Sequence, residues 1–172
     1  MNILVAGATG ATGRLLVGQL LDRGHRVRAI VRSPETLPDA IRNHAHLTLI
    51  HAAILDLEDA ELIRFTQSCD AVVSCLGHNL SFKGMYGKPR QLVTDAVRRL
   101  CSAIQANTPQ RPIKFVLMST AGYRNPDIET VPAAERVVIG LIRLLLPPHV
   151  DNETAADFLR TQVGLNNGMI EW

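Results

Sequence analysis

The chain has 172 residues, 47% hydrophobic and 20% charged, which suits one globular domain with a sizeable core. Its formal charge of +2 at pH 7, scattered along the chain mostly as arginines, is too weak for a polyanion-binding surface. Neither nucleic acid nor an anionic membrane is therefore expected as a partner.

From the start of the chain, "NILVAG" is a short apolar run ending in glycine, as in a buried parallel strand. Met1 leads straight into it, which reads as a chain without a signal peptide. Residues from about 12 to 23 carry Leu15, Leu16, Gln19, Leu20 and Arg23 at helical spacing, with Gly24 as the stop. "RVRAIVRS" is the second strand. "SPETLPDAIRNH" opens a helix with Ser33 as N-cap and Pro34 at its first position, and Pro38 keeps it short. "LTLIHA" is the third strand, and "DLEDAELIRFTQSC" a helix with Asp56 at its mouth. "DAVVSCLG" is the fourth strand and "SFKGMYGKP" a loop. The long helix "PRQLVTDAVRRLCSAIQAN" lines up Leu92, Ala96, Leu100 and Ile104.

"IKFVLMST" is the fifth strand. An apolar helix over roughly 131–146 follows, then a "PP" break and a helix from about 152 to 164. The stretch "VVIGLIRLLL" is about half a membrane span, contains Arg143, and reads as a buried helix. The alternation of strand and helix predicts an α/β fold. Its doubly wound parallel sheet has order 3-2-1-4-5 with a partial sixth strand, in a single domain over residues 1–172. Cys69, Cys75 and Cys101 match neither a zinc site nor a CxxC pair, and "HAH" at 44–46 has no clustered ligands beside it, so no metal is expected. Cys75, within the apolar "AVVSCLG", reads as a small buried hydrophobe, and the cysteine count suits a reducing cytoplasm, the expected location.

The chemistry starts at "LVAGATGATGRLL", where Gly7, Gly10 and Gly13 join a strand to a helix inside a βαβ unit. In that context Gly7 allows a tight turn, Gly10 lets a pyrophosphate approach, and Gly13 permits close packing of helix on strand. Thr9, Ala11 and Thr12 complete the cradle. The helix N-terminus adds free N–H groups and partial positive charge.

The spacing GxxGxxG with "GATG" resembles the extended and atypical short-chain dehydrogenase/reductase superfamily, especially its NAD(P)H-binding, NmrA-like and flavin-reductase-like members. The resemblance covers essentially the whole chain. It implies that "ILDLED" brings Asp56 and Leu57 to the adenine. It implies that "VVSCLG" carries Cys75, Leu76 and Gly77 past the cofactor ribose, and that "FVLMSTAG" places Ser119 beside the nicotinamide.

At the end of the second strand an acidic residue would bind the NAD ribose, but Arg32 stands there. An arginine pairs with a 2′-phosphate that a carboxylate would repel, and Arg14 adds a second charge. The expected cofactor is NADP rather than NAD. The superfamily's tyrosine with a lysine four residues later is absent, because Tyr86 is followed at that distance by Arg90 and Tyr123 by Asp127. The candidate catalytic residues are then Ser119, Tyr123 as a substitute acid, and His149, which with Asp151 would form a proton relay over the nicotinamide. Thr120 would assist Ser119. The plainer reading of "PPHVDNETAADFLR" makes Asp151 or Asn152 a helix N-cap with Glu153 in the first turn. His78 reads as a loop histidine on the cofactor side.

The end, "LNNGMIEW", reads as a turn and an opening strand, and resembling proteins continue into a substrate-binding region. A truncated nucleotide core is expected, with a homodimer completing its exposed edge. The leading function is an NADP-dependent oxidoreductase passing hydride to a small-molecule substrate such as a flavin, quinone or carbonyl. The alternative is a non-catalytic NADP(H) sensor acting on a protein partner. A sugar-nucleotide-type epimerase comes third, opposed by the missing tyrosine–lysine pair.

Overall fold

Burial of the central strands on both faces sets the layers of this molecule. The computed structural model describes residues 1–78, 89–119, 140, 143, 145–163 and 168–172. In chain order these contain β1 (Asn2–Ala6), α1 (Ala11–Asp22), β2 (Arg26–Val31), a 3-10 turn (Pro34–Thr36), α2 (Asp39–Arg42) and β3 (Leu47–His51). There follow α3 (Asp59–Thr66), β4 (Ala71–Ser74), α4 (Leu92–Ala106), β5 (Ile113–Leu117), α5 (Pro147–Phe158) with a π-helical turn (Leu159–Val163), and β6 (Ile170–Glu171).

The six strands form one parallel sheet in the order β3-β2-β1-β4-β5-β6, as the alternation of elements predicts. The register places Ala6 beside Ile30 on one side and Ser74 on the other, so β1 and β4 end together at the sheet centre. The chain reverses its winding direction between these two strands, which opens a crevice at their carboxyl ends. The sixth strand is short but paired, with Ile170 opposite Ile113.

Because side chains alternate across a strand, the sheet has two cores. On one face Leu4, Ala6, Val72 and Phe115 pack with Leu62 of α3, Val97, Leu100 and Ile104 of α4, and Ala155 of α5. On the other, Ile3, Val5, Val27 and Val73 pack with Val17 and Leu21 of α1. The α1 face differs from the sequence expectation: Leu15 is 66% exposed, while Gly13, Val17 and Leu21 are buried. Gly13 seats the helix directly on the Gly7–Ala8 turn, with that stripe facing the sheet.

Other boundaries also move. Pro38 splits the second helical segment into the 3-10 turn and the four-residue α2. Asp56 does not open α3. Its amide bonds Ala53 O at 3.0 Å in a turn, and the helix starts after Glu58, which forms a capping box with Glu61. The "PP" pair forms the first turn of the last helix, which therefore starts at Pro147 rather than at about 152, since proline at a first helical position lacks only an N–H that would go unpaired. Asp151, Asn152 and Glu153 thus lie inside α5, not at its cap. The expected apolar helix over 131–146 and the expected loop "SFKGMYGKP" fall mostly outside the described residues, as does the "NN" of the expected turn.

All three cysteines are buried and free. Burial pushes the Cys101 thiol from 9.0 up to about 12. The stability gained by keeping it neutral is complete below pH 9 and is lost as pH rises towards 12, because only the unfolded chain can ionise there. Urea midpoints should therefore fall between about pH 8 and about pH 10.5, and fall less in Cys101→Ala. Leu100→Ala, at a site with 0% exposure, should cost about 2–5 kcal/mol by the same assay.

Candidate functional site

Three glycines shape the crevice, and they do so differently. Gly7 follows β1 with φ +79°, and a Cβ there would lie 2.5 Å from the carbonyl oxygen of Cys75. A Cβ on Gly13 would lie 2.1 Å from the carbonyl oxygen of Gly7. These two positions admit only glycine because strand, turn and helix backbones touch. Gly10 has an ordinary extended conformation, φ −67° and ψ 166°. A Cβ there would meet nothing nearer than Gly7 O at 3.4 Å. Among the described residues nothing requires glycine at this position, yet it lines the cavity. Gly10 is also the N-cap of α1, which has no side-chain cap and no acidic residue in its first turn. The helix thus presents an uncompensated N-terminus where a phosphate needs one.

The cavity has a volume of about 560 Å³. Its floor is Gly7, Thr9, Gly10, Ala11 and Thr12; one wall holds Arg32 and the Ala52–Asp56 turn, and the other Cys75, Leu76, Gly77 and His78. Ten sequence-predicted residues therefore meet around one space. Arg32 is exposed at the rim, and its guanidinium has no ion-pair partner among the described residues. Burial raises the Cys75 thiol above its ordinary value, which keeps it neutral and unsuited to nucleophilic chemistry.

Other predicted residues lie elsewhere. Gly13 is packed beneath the turn, Leu57 is in the core, and Arg14 is exposed on α1. Met118 lines the cavity, while the exposed Ser119 just after it does not. Tyr123 and Thr120 fall outside the described residues. The expected His149–Asp151 relay is not formed. His149 Nε2 faces Glu153 Oε1 of its own helix at 3.3 Å, and Glu153 also takes Arg143 Nε at 2.8 Å.

Asp151 points the other way, for a clear reason. Helix α4 starts after Gln91 without a side-chain cap of its own. The Asp151 carboxylate supplies it from α5, accepting from Val93 N at 2.8 Å and Thr94 N at 3.0 Å, while Thr94 Oγ1 donates back to Asp151 O at 2.9 Å. The same carboxylate holds His78 Nε2 at 2.8 Å, with both side chains at least 95% buried. His78 lines the cavity, so it is a fixed imidazole rather than a solvated loop histidine. Its partner is 73 positions away and carries no local sequence signal. The Ala52–Leu55 wall was also missed, although the rule placing ligands beyond strand carboxyl ends points to it.

Substitution grades the capping by Asp151. Asp151→Ala should lower stability by about 1–3 kcal/mol through the orphaned amides of α4. Asp151→Asn, whose single amide oxygen can accept from only one of the two amides, should recover at most part of that loss. Thermal melts of both variants check this.

Residues 7–166 match the family described as NAD(P)H-binding. Cinnamoyl-CoA reductase 2 from Arabidopsis thaliana is 28% identical over 130 residues, covering 74% of this chain and 38% of that protein. The chain spans less than half the length of the curated relatives it matches. The oxidoreductase ylbE from Lactococcus lactis superposes with a TM-score of 0.63 at 20% identity, over 97% of this chain and 65% of that one. UDP-glucuronic acid 4-epimerase from Bacillus cereus, solved with UDP-glucuronic acid and NAD, has a TM-score of 0.68 at 20% identity, over 99% and 54%. These structural likenesses show a shared Rossmann-type fold.

Proposed function

This chain belongs to the NAD(P)H-binding family, and from that premise we propose that it is an NADP-dependent oxidoreductase of the atypical short-chain type. The observation that carries the reading is Gly10, a glycine that neither backbone conformation nor packing against the described residues demands, open to the cavity at the uncapped start of α1. A phosphate in close approach explains the missing side chain. A curated relative is by name a reductase, which agrees with the reaction class.

Each part of the site has a role in this reading. The N–H groups at the start of α1 receive the pyrophosphate. Arg32, at the rim after β2, pairs with the 2′-phosphate, where a carboxylate would select NAD instead. The apolar Ala52–Leu55 turn and Asp56 flank the base. Leu76, Gly77 and His78 border the reactive end, with His78 held still by Asp151. The bound nicotinamide supplies hydride. The chain has no tyrosine with a lysine four residues on, so the acceptor is one that needs little help from a protein acid, of the flavin or quinone kind, ahead of a simple carbonyl.

Titration of the protein with NADPH and NADH, repeated on Arg32→Asp, tests the cofactor assignment. NADPH should bind at least about tenfold tighter than NADH, and the substitution should remove that preference. Equal binding of the two dinucleotides to the unmodified chain would refute NADP selectivity, and binding of neither would refute the whole reading.

A further inference from the structure

The base-side wall of the cavity is neither strand nor helix. Between β3 and α3 the chain runs through a turn whose front, Ala52, Ala53, Leu55 and Asp56, lines the cavity. Such a segment has few ladder hydrogen bonds to hold it, and its carbonyls need donors wherever water is kept away. One side chain supplies them. Arg99, on α4, donates from Nη1 to Ile54 O at 3.1 Å and to Leu55 O at 3.0 Å. Its Nη2 donates to Leu57 O and to Asp59 Oδ1, the latter at 2.7 Å, and its Nε donates to Asp59 Oδ1 at 3.1 Å.

A guanidinium has five N–H groups, and here all five serve a single six-residue stretch. A planar fork can satisfy several carbonyls at fixed angles, which a lysine ammonium cannot. The neighbouring Arg98 shows that this is not a general property of basic residues on α4. Its guanidinium lies over the Phe158 ring, 5.6 Å from the centroid, on the side of α5.

We propose that Arg99 is a positioning residue for the adenosine half of the dinucleotide. It is not among the residues that line the cavity. It holds the Ala52–Asp56 turn from behind, so that the wall is already in its binding shape before the base arrives, and the ordering cost is met in the folded protein rather than on binding. This inference rests on the dinucleotide reading of the cavity and adds to it which residue sets the affinity for the base end.

The test compares Arg99→Met, Arg99→Lys and, as a control for charge on the same helix, Arg98→Met. All are titrated with NADPH, with 2′-phospho-ADP-ribose and with reduced nicotinamide mononucleotide, at a temperature where circular dichroism shows each to be folded. Arg99→Met should weaken NADPH and 2′-phospho-ADP-ribose by about tenfold or more, with Arg99→Lys between it and the unmodified protein. The mononucleotide, which lacks adenosine, should bind all variants within about twofold, as should every ligand to Arg98→Met. Amide exchange in Arg99→Met should quicken at residues 52–57 ahead of the sheet.

A merely structural arginine would lower the melting temperature and leave these affinities in place. Folded Arg99→Met that binds 2′-phospho-ADP-ribose as the unmodified protein does would overturn the proposal. If Arg99→Met does not fold, an unchanged affinity in Arg99→Lys would overturn it equally. Failure of the unmodified protein to bind either adenosine ligand would instead strike the dinucleotide reading itself.

Discussion

The site depends on a place where three stretches of backbone come closer than any side chain would allow. The carbonyl oxygen of Cys75, just after β4, lies 2.5 Å from where a Cβ of Gly7 would be, and that of Gly7 lies 2.1 Å from where a Cβ of Gly13 would be. This contact locks the end of β1 to the end of β4 and seats α1 directly on the turn between them. It also aims the start of α1 into the crevice. A methyl group at Gly7 or Gly13 would force strand and helix apart, and the cavity would lose its floor before any ligand was involved.

Helix α4 organises the two walls in a comparable way. Its N-terminus is finished by Asp151 from α5, which also fixes His78 on the β4 side. Further along, Arg99 fixes the turn after β3 on the opposite side. One helix, anchored through its apolar stripe of Ala96, Leu100 and Ile104, therefore braces both sides of the crevice. Loops become precise when rigid elements hold them, and here the braces are a carboxylate and a guanidinium whose partners are mostly backbone groups.

The sheet order, the cradle glycines and Arg32 were legible because each is written locally. The strands are apolar runs, the glycines sit at a strand-to-helix junction, and Arg32 ends a strand at a known offset from them. What was not legible is mostly long-range. Asp151 looked like the cap of the helix it stands in, because Asp–Asn–Glu is also a good helix start. The prolines at 147 and 148 begin that helix earlier, and the carboxylate caps a different helix instead. His149 and Asp151, two apart in sequence, point to different partners for the same reason: a helix turns by about 200° over two residues. Glu58 displaced Asp56 as the start of α3 because it forms a reciprocal box with Glu61, which leaves Asp56 at the cavity rim.

The account turns on Gly10 being a glycine for the sake of a ligand, in contrast to Gly7 and Gly13, which serve the fold. The direct measurement is NADPH affinity together with the melting temperature of Gly10→Ala. The account predicts a melting temperature within a few degrees of the unmodified protein, since the nearest described atom to the added methyl is Gly7 O at 3.4 Å, and a loss of NADPH binding of about tenfold or more. A folded Gly10→Ala protein that binds NADPH with unchanged affinity would contradict it, because the loop would then be a turn that no phosphate approaches.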